Sequence, residues 1–135
     1  MKITTRMVEE DLFESSNSYG NKVSIDMRKK DVKQGLSPVE LLQSSLAACA
    51  GVDVVAMLKK RKKHIDAFSI EIEAKRKEEH PRWLTDIHCK YLLTSLDVTE
   101  TELTKLAHLA LEKYCSVASS LKSVITISVQ VIRPS

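Results

Sequence analysis

The feature that most constrains the fold of this chain is a long apolar segment with a clear helix start in front of it. In "SPVE", Ser37, Pro38 and Glu40 form a capping box with a proline at the first helical position, which predicts a helix over residues 38–62. From residue 46 to residue 58 this helix is apolar on nearly every face, so we expect its middle to be buried all round. One domain of 135 residues has little material to cover such a helix. The sequence therefore predicts a homodimer in which a second copy covers the exposed side.

Alternation of apolar and polar residues predicts strands on both sides of this helix. The strand segments are residues 2–8, 22–27, 67–75, 86–93 and 124–132. Residues 15–21 are typical of a turn, Thr99 and Glu102 form a second capping box that opens a second helix, and residues 115–122 indicate a short third helix. Together these predict one domain over residues 1–135. Its fold is α+β, with a curved, mostly antiparallel sheet wrapped on the long buried helix.

Composition and charge narrow the class of function. The net charge of +3 is too mild to indicate nucleic acid, and we expect the basic residues 59–64 to form a solvated last turn of the long helix. The N-terminal residues lack the apolar segment of a signal peptide. No run of about 18 uncharged apolar residues occurs, so we expect no membrane span. Three cysteines without a secretory signal predict a reducing compartment, the cytoplasm.

The three cysteines are the candidate reactive residues, because no cysteine–histidine cluster of zinc type is present and no metal site is expected. Cys89 is in phase with the apolar face of its strand and is typical of a buried hydrophobe. Cys49 lies among small residues in the long helix, and Asp53 follows it by one turn on the same face. A carboxylate in so apolar a helix needs a partner or a function. Cys115 precedes the short third helix, whose N-terminus would lower its thiol pKa.

Two segments, "SPVELLQSSLAACAGVDVV" and "EKYCSVASSL", resemble motifs of the OsmC/Ohr family of osmotically inducible and organic hydroperoxide resistance proteins. The resemblance runs from about Tyr19 to the C-terminus and is greatest to the OsmC-like branch. It implies an intertwined homodimer with the long helices between two sheets, and it places Cys49 and Cys115 together at the interface. In the peroxidase members, the cysteine matching Cys49 attacks the peroxide and the one matching Cys115 then forms a disulfide with it. An external dithiol such as a lipoyl group reduces this disulfide, and no bound cofactor is implied.

The chain departs from the pattern of the peroxidases at two positions. They place an arginine in the loop before the strand that precedes the long helix, and a glutamate directly after the helix-opening proline. Here "SSNSYGN" contains no arginine and Val39 follows Pro38, so Arg6 and Arg28 are the candidates to support the thiolate. Two functions stay open: a thiol-dependent peroxidase for organic hydroperoxides, and a non-peroxidatic protein that binds a small apolar or thiol ligand in the same pocket. Plain core cysteines in a structural dimer are the third alternative.

Overall fold

Strands and helices are mixed along the chain, which confirms the α+β class. A computed structural model describes residues 1–135. The elements in chain order are β1 (Ile3–Glu9), β2 (Leu12–Asn17), β3 (Lys22–Asp26), α1 (Pro38–Lys60), β4 (Ala67–Arg76), β5 (Leu84–Thr94), α2 (Glu100–Leu109), a π-helical turn (Ala110–Tyr114), α3 (Ser116–Ser119) and β6 (Val124–Ile132).

The strands divide over two small sheets, one in each of two compact units, residues 1–42 and 43–135. In the first unit β1, β2 and β3 pair antiparallel in chain order. In the second unit β5 lies in the middle, antiparallel to β4 and parallel to β6. Three of the four strand pairs are antiparallel, as expected, but the strands form two sheets where one was predicted. The parallel pair of β5 and β6 needs a helical crossover, which α2 supplies. The assignment of a single domain stays a prediction.

Strand β2 was missed because its second half, "SSN", consists of small polar residues that also favour turns. In the structure Ser15 is buried and its hydroxyl lies 2.7 Å from that of Thr5 on β1. The reversal itself is shorter than predicted. The Asn17 side chain accepts hydrogen bonds from the backbone N–H groups of Tyr19 and Asn21, and Gly20 takes a positive φ of 84°.

A buried carboxylate organises the segment that leads from β3 into α1. Asp26 is fully buried and accepts hydrogen bonds from the Arg28 guanidinium at 2.9 and 3.0 Å. It also accepts the backbone N–H groups of Gln34 at 2.8 Å and Gly35 at 3.1 Å. These donors, Arg28 first, hold the pKa of Asp26 well below its usual range. A side chain at position 35 would crowd this carboxyl, since a Cβ there would lie 3.2 Å from the Asp26 Cβ.

Helix α1 begins with the predicted capping box. The Glu40 N–H donates to the Ser37 hydroxyl at 3.3 Å, and the Ser37 N–H donates to the Glu40 carboxylate at 2.9 Å. Four of the five buried residues of the helix recur at every fourth position, and Gly51 is the fifth: Leu46, Ala50, Gly51, Val54 and Leu58. Within one protomer the helix is thus buried on one side, and cover of its other side by a second copy stays a prediction.

The uncovered part of α1 is strongly apolar. An 18-residue window of the helix has a mean hydropathy of 1.7, yet only 28% of that window is buried. By length and composition alone such a helix could cross a membrane, but a core helix of a water-soluble protein meets the same criterion. Val52 illustrates the exposed face, with 63% of its surface accessible.

The core of the second unit includes residues of both β5 and α2. Inward-facing β5 side chains contribute a core together with the buried residues of α2: Ile87, Cys89, Tyr91, Leu93, Leu103, Leu106 and Ala107. At the end of α1 the basic run is partly neutralised by α2, because Glu102 pairs with Arg61 at 3.0 Å and with Lys63 at 3.5 Å.

Candidate functional site

Cys49 lies at the edge of the buried face of α1, in the segment that belongs to the second unit. Its neighbours Leu46 and Ala50 are buried, whereas Cys49 itself is half-buried. The helix therefore holds the sulfur at a border between core and surface. A reactant can reach it from outside while the protein contacts it from inside.

Cys115 is brought inward by an irregular turn at the end of α2. The chain widens into the π-helical turn, and the Cys115 N–H closes it by donating to the Ala110 carbonyl at 2.8 Å. Cys115 then takes an extended backbone conformation and caps α3, with its sulfur accepting the Ala118 N–H at 3.4 Å. Only 1% of its surface is exposed. A cysteine in this position is shielded from solvent and held in place by the backbone.

The two sulfurs meet in the second unit. The backbone N–H groups of Val117 and Ser116 and the thiol of Cys115 lie close enough to the Cys49 sulfur to affect its ionisation, and Val117 has the largest effect. These donors stabilise the thiolate and lower the pKa of Cys49 despite its partial burial. Burial raises the pKa of Cys115, and its donation to Cys49 adds to that shift. The pair is therefore asymmetric, with the ionised form favoured at Cys49 and the thiol form at Cys115.

Cys89 and Tyr91 lie on the inward face of β5 behind this pair. Burial raises the pKa of the Cys89 thiol to about 11, so it is protonated and poorly nucleophilic at neutral pH. The neighbouring Cys115 adds to that shift. The pKa of Tyr91 is raised mainly by burial, with smaller contributions from Cys89 and Cys115. The Tyr91 side chain is fully buried and its hydroxyl finds no hydrogen-bond partner. All three cysteines carry free thiols.

A groove of about 460 Å³ runs between α1 and β4 on the helix face beside the one that carries Cys49. Its walls are mostly small or apolar: Ser44, Ala47, Ala48, Gly51, Val52, Val55, Phe68, Ser69 and Ile70. Gly51 permits the close approach of helix and strand, because a Cβ there would lie 3.2 Å from Ile70 Cδ1 and 3.4 Å from Phe68 Cε2. Neither Cys49 nor Cys115 lines this groove, so in one protomer the apolar groove and the sulfur pair are separate features.

The family of this chain follows from a family model that matches most of its length. The model of the OsmC-like protein family matches residues 29–130, which include α1, both cysteines of the pair and most of β6. The chain belongs to the OsmC-like family. Protein YhfA of Escherichia coli strain K12 is 27% identical to it over 128 residues, covering 95% of this chain and 94% of that protein.

Solved structures show the same OsmC-like fold. A hypothetical protein from Aquifex aeolicus VF5 is 32% identical, has a TM-score of 0.86 and covers 99% of this chain and 97% of its own. The organic hydroperoxide resistance protein OhrB of Bacillus subtilis has a TM-score of 0.61 at 16% identity, covering 97% of this chain and 96% of its own. At 16% identity, the similarity to OhrB shows a shared fold and does not indicate a shared activity.

Three residues were candidates to support the reactive cysteines of this OsmC-like chain: Asp53, Arg28 and Arg6. Asp53 lies one turn after Cys49 and is half-buried, and its negative charge opposes ionisation of that thiol. In the first unit Arg28 is held by Asp26 at 2.9 Å and by Glu9 at 3.1 Å. Arg6 pairs with Glu14 at 3.0 Å. Both guanidinium groups are thus already engaged by carboxylates, and a role for either one at the thiolate stays a prediction.

Sequence reasoning missed the donors that Cys49 uses. The backbone N–H groups of Ser116 and Val117 carry no signature of their own in the sequence. The one signal was "CSVASS", whose small residues favour a tight helical turn after Cys115. No group of three or more histidine, cysteine or carboxylate side chains is arranged to hold a metal ion.

Proposed function

We propose that this chain is a thiol-dependent peroxidase that reduces organic hydroperoxides through Cys49 and Cys115. The observation that carries the proposal is the placement of the Val117 and Ser116 N–H groups and the Cys115 thiol beside the Cys49 sulfur, which lowers the pKa of Cys49 and so favours its thiolate. A thiolate is the nucleophilic form of cysteine. A second, protonated thiol in contact with it is what the following step requires.

The reaction balances with these two thiols and an external dithiol. The Cys49 thiolate attacks the terminal peroxide oxygen, the O–O bond breaks, and the alkoxide leaves and takes up a proton to become the alcohol. Cys49 is then a sulfenic acid. Cys115 loses its proton and attacks that sulfur, so a disulfide forms and water leaves. A dithiol of the lipoyl type restores both thiols by exchange and is itself oxidised to a disulfide.

We also propose that two copies of the chain assemble through the uncovered face of α1. Val52 is 63% exposed, and the groove beside it is lined by small and apolar side chains. A contiguous apolar surface of this kind marks an interaction site. The small residues along the helix, such as Ala48 and Gly51, would let a second helix approach closely. The free thiols fit a reducing compartment such as the cytoplasm.

A second function is favoured by the engagement of both candidate arginines. The ion pairs of Arg28 and Arg6 leave no free guanidinium to support the Cys49 thiolate from these two positions. The alternative is a protein that does not turn over peroxide and instead holds a small apolar or thiol ligand. The groove of about 460 Å³ has the size of a small-molecule site.

Stopped-flow oxidation of the reduced protein separates the two functions. We expect cumene hydroperoxide to oxidise the wild type faster than hydrogen peroxide does, because the apolar residues around the half-buried Cys49, such as Leu46 and Ala50, favour an organic substrate. Cys49→Ser should abolish peroxide consumption, and Cys115→Ser should consume about one equivalent and stop at the sulfenic acid. If the wild type consumes neither peroxide, the ligand-binding function replaces the peroxidase.

A further inference from the structure

Asp53 is the one charged residue in the apolar part of α1, residues 46–58. It follows Cys49 by four positions, so the two side chains are neighbours on one side of the helix. The carboxylate is half-buried and makes no hydrogen bond or ion pair within the chain. It interacts electrostatically with Cys49. An unpaired, partly desolvated carboxylate is unfavourable for folding, and its place beside the reactive sulfur suggests a role there.

We propose that Asp53 is a specificity-determining residue that keeps anionic reactants away from Cys49, so that the hydroperoxides reduced at this site are neutral rather than carboxylate-bearing. That these reactants are hydroperoxides rests on the proposed peroxidase function, but the electrostatic effect itself does not depend on turnover. A reactant has to approach the Cys49 sulfur closely, and any charged group on a small reactant then lies within several ångströms of Asp53. Repulsion at that range is strong because the site is only partly open to water.

The surroundings of the sulfur make the carboxylate the dominant charge there. The other groups that affect the ionisation of Cys49 are the backbone N–H groups of Ser116 and Val117 and the thiol of Cys115, none of which carries a fixed charge. These donors stabilise the thiolate without attracting a second anion to the same place. A neutral alkyl or aryl hydroperoxide is not affected by Asp53. A fatty-acid hydroperoxide whose carboxylate approaches the site is disfavoured.

Paired alkylating reagents test this directly, because iodoacetamide is neutral and iodoacetate is anionic while both react with the same thiolate. The ratio of their rate constants at Cys49 is therefore independent of the thiol pKa. Rates would be measured on the reduced full-length protein at low ionic strength, with mass spectrometry locating the label. Cys89 and Cys115 are each 1% exposed and are expected to label slowly.

We expect Asp53→Asn to raise the iodoacetate-to-iodoacetamide ratio about fivefold, and added salt to shrink that difference. Asp53→Glu keeps the charge and should keep the low ratio of the wild type. Asp66→Asn is the matched control, since Asp66 is exposed beyond the end of α1 and removing it changes the net charge equally. Its ratio should stay that of the wild type.

A ratio in Asp53→Asn within twofold of the wild type would overturn the proposal, and so would an equal rise in Asp66→Asn. Neither result bears on peroxidase activity, because alkylation consumes no peroxide. Conversely, a wild type that ignores cumene hydroperoxide removes the proposed function while the alkylation ratio still reports the effect of Asp53. In an active wild type, linoleic acid hydroperoxide should react more slowly than cumene hydroperoxide, and Asp53→Asn should narrow that gap.

Discussion

At the scale of single residues, the Tyr91 hydroxyl is the most unusual group in the core. It is fully buried and has no hydrogen-bond partner. Burial removes the hydrogen bonds of this hydroxyl to water, and no hydrogen bond within the protein replaces them. Removing the hydroxyl should therefore be neutral or stabilising by up to about 1 kcal/mol. We expect Tyr91→Phe to melt at the same temperature as the wild type or slightly above it, measured by calorimetry. A clear loss of stability would show that the hydroxyl is bonded to a buried water.

Cys89 should be dispensable for chemistry. Its pKa of about 11 keeps it a thiol at pH 7, and it lies on the packed face of β5. Cys89→Ala removes one buried sulfur and should cost about 1 kcal/mol of unfolding free energy. Peroxide consumption should stay within a few-fold of the wild type in a stopped-flow assay. A folded Cys89→Ala protein without activity would mean that the reactive pair has been chosen wrongly.

How far the site can be foreseen from sequence depends on which atoms build it. Side chains at helical spacing are visible, so the sequence alone places Asp53 beside Cys49. The meeting of Cys49 with Cys115 could be expected only through the family resemblance. Spacing is uninformative across so many residues. The backbone donors at Ser116 and Val117 could not be foreseen, since every residue type except proline has an N–H.

At the scale of elements, the carboxylate of Asp26 ties β3 to the segment before α1. Its folded-state pKa lies below the ordinary value of about 3.9, so the unfolded chain binds a proton more readily. The clamp therefore stabilises the fold fully above about pH 4, and this stabilisation is lost as the pH falls toward the folded-state pKa.

We expect Asp26→Asn to lower the melting temperature at pH 7 and to weaken the dependence of that temperature on pH below about 4. Thermal melts followed by circular dichroism across this range would measure both effects. Glu14→Gln is the matched control, because Glu14 pairs with the exposed Arg6 and should matter little. If the two variants melt alike at pH 7, Asp26 is not the clamp described here.

The elements that could be predicted are those with complete local signals. The start of α1 follows from Ser37, Pro38 and Glu40, and β6 was predicted with its observed bounds because its alternation is unbroken. Strand β2 lacks such alternation and gains its place by pairing with β1 and β3. The parallel pairing of β5 and β6 is determined by tertiary packing, so no local sequence pattern predicts it.

At the scale of the whole molecule, the apolar face of α1 predicts assembly. We expect the wild type to sediment as a dimer at low micromolar concentration, since the exposed face around Val52 needs a cover. Val52→Glu should shift the species toward monomer, because a charge buried at such an interface is unfavourable. Leu96→Glu is the control, since Leu96 is 55% exposed in the turn after β5. A wild type that sediments as a stable folded monomer would contradict the role assigned to this surface.

The central claim is that Cys49 and Cys115 form one redox unit, and peptide mass spectrometry after one equivalent of cumene hydroperoxide tests it most directly. We predict an intramolecular Cys49–Cys115 disulfide in the wild type, reversed by dihydrolipoic acid, with Cys89 still reduced. The bond requires the two Cα atoms to lie within about 7 Å, and the mutual effect of the two thiols on their ionisation is in keeping with such proximity. Reduced thiols at both positions after excess hydroperoxide would contradict the claim.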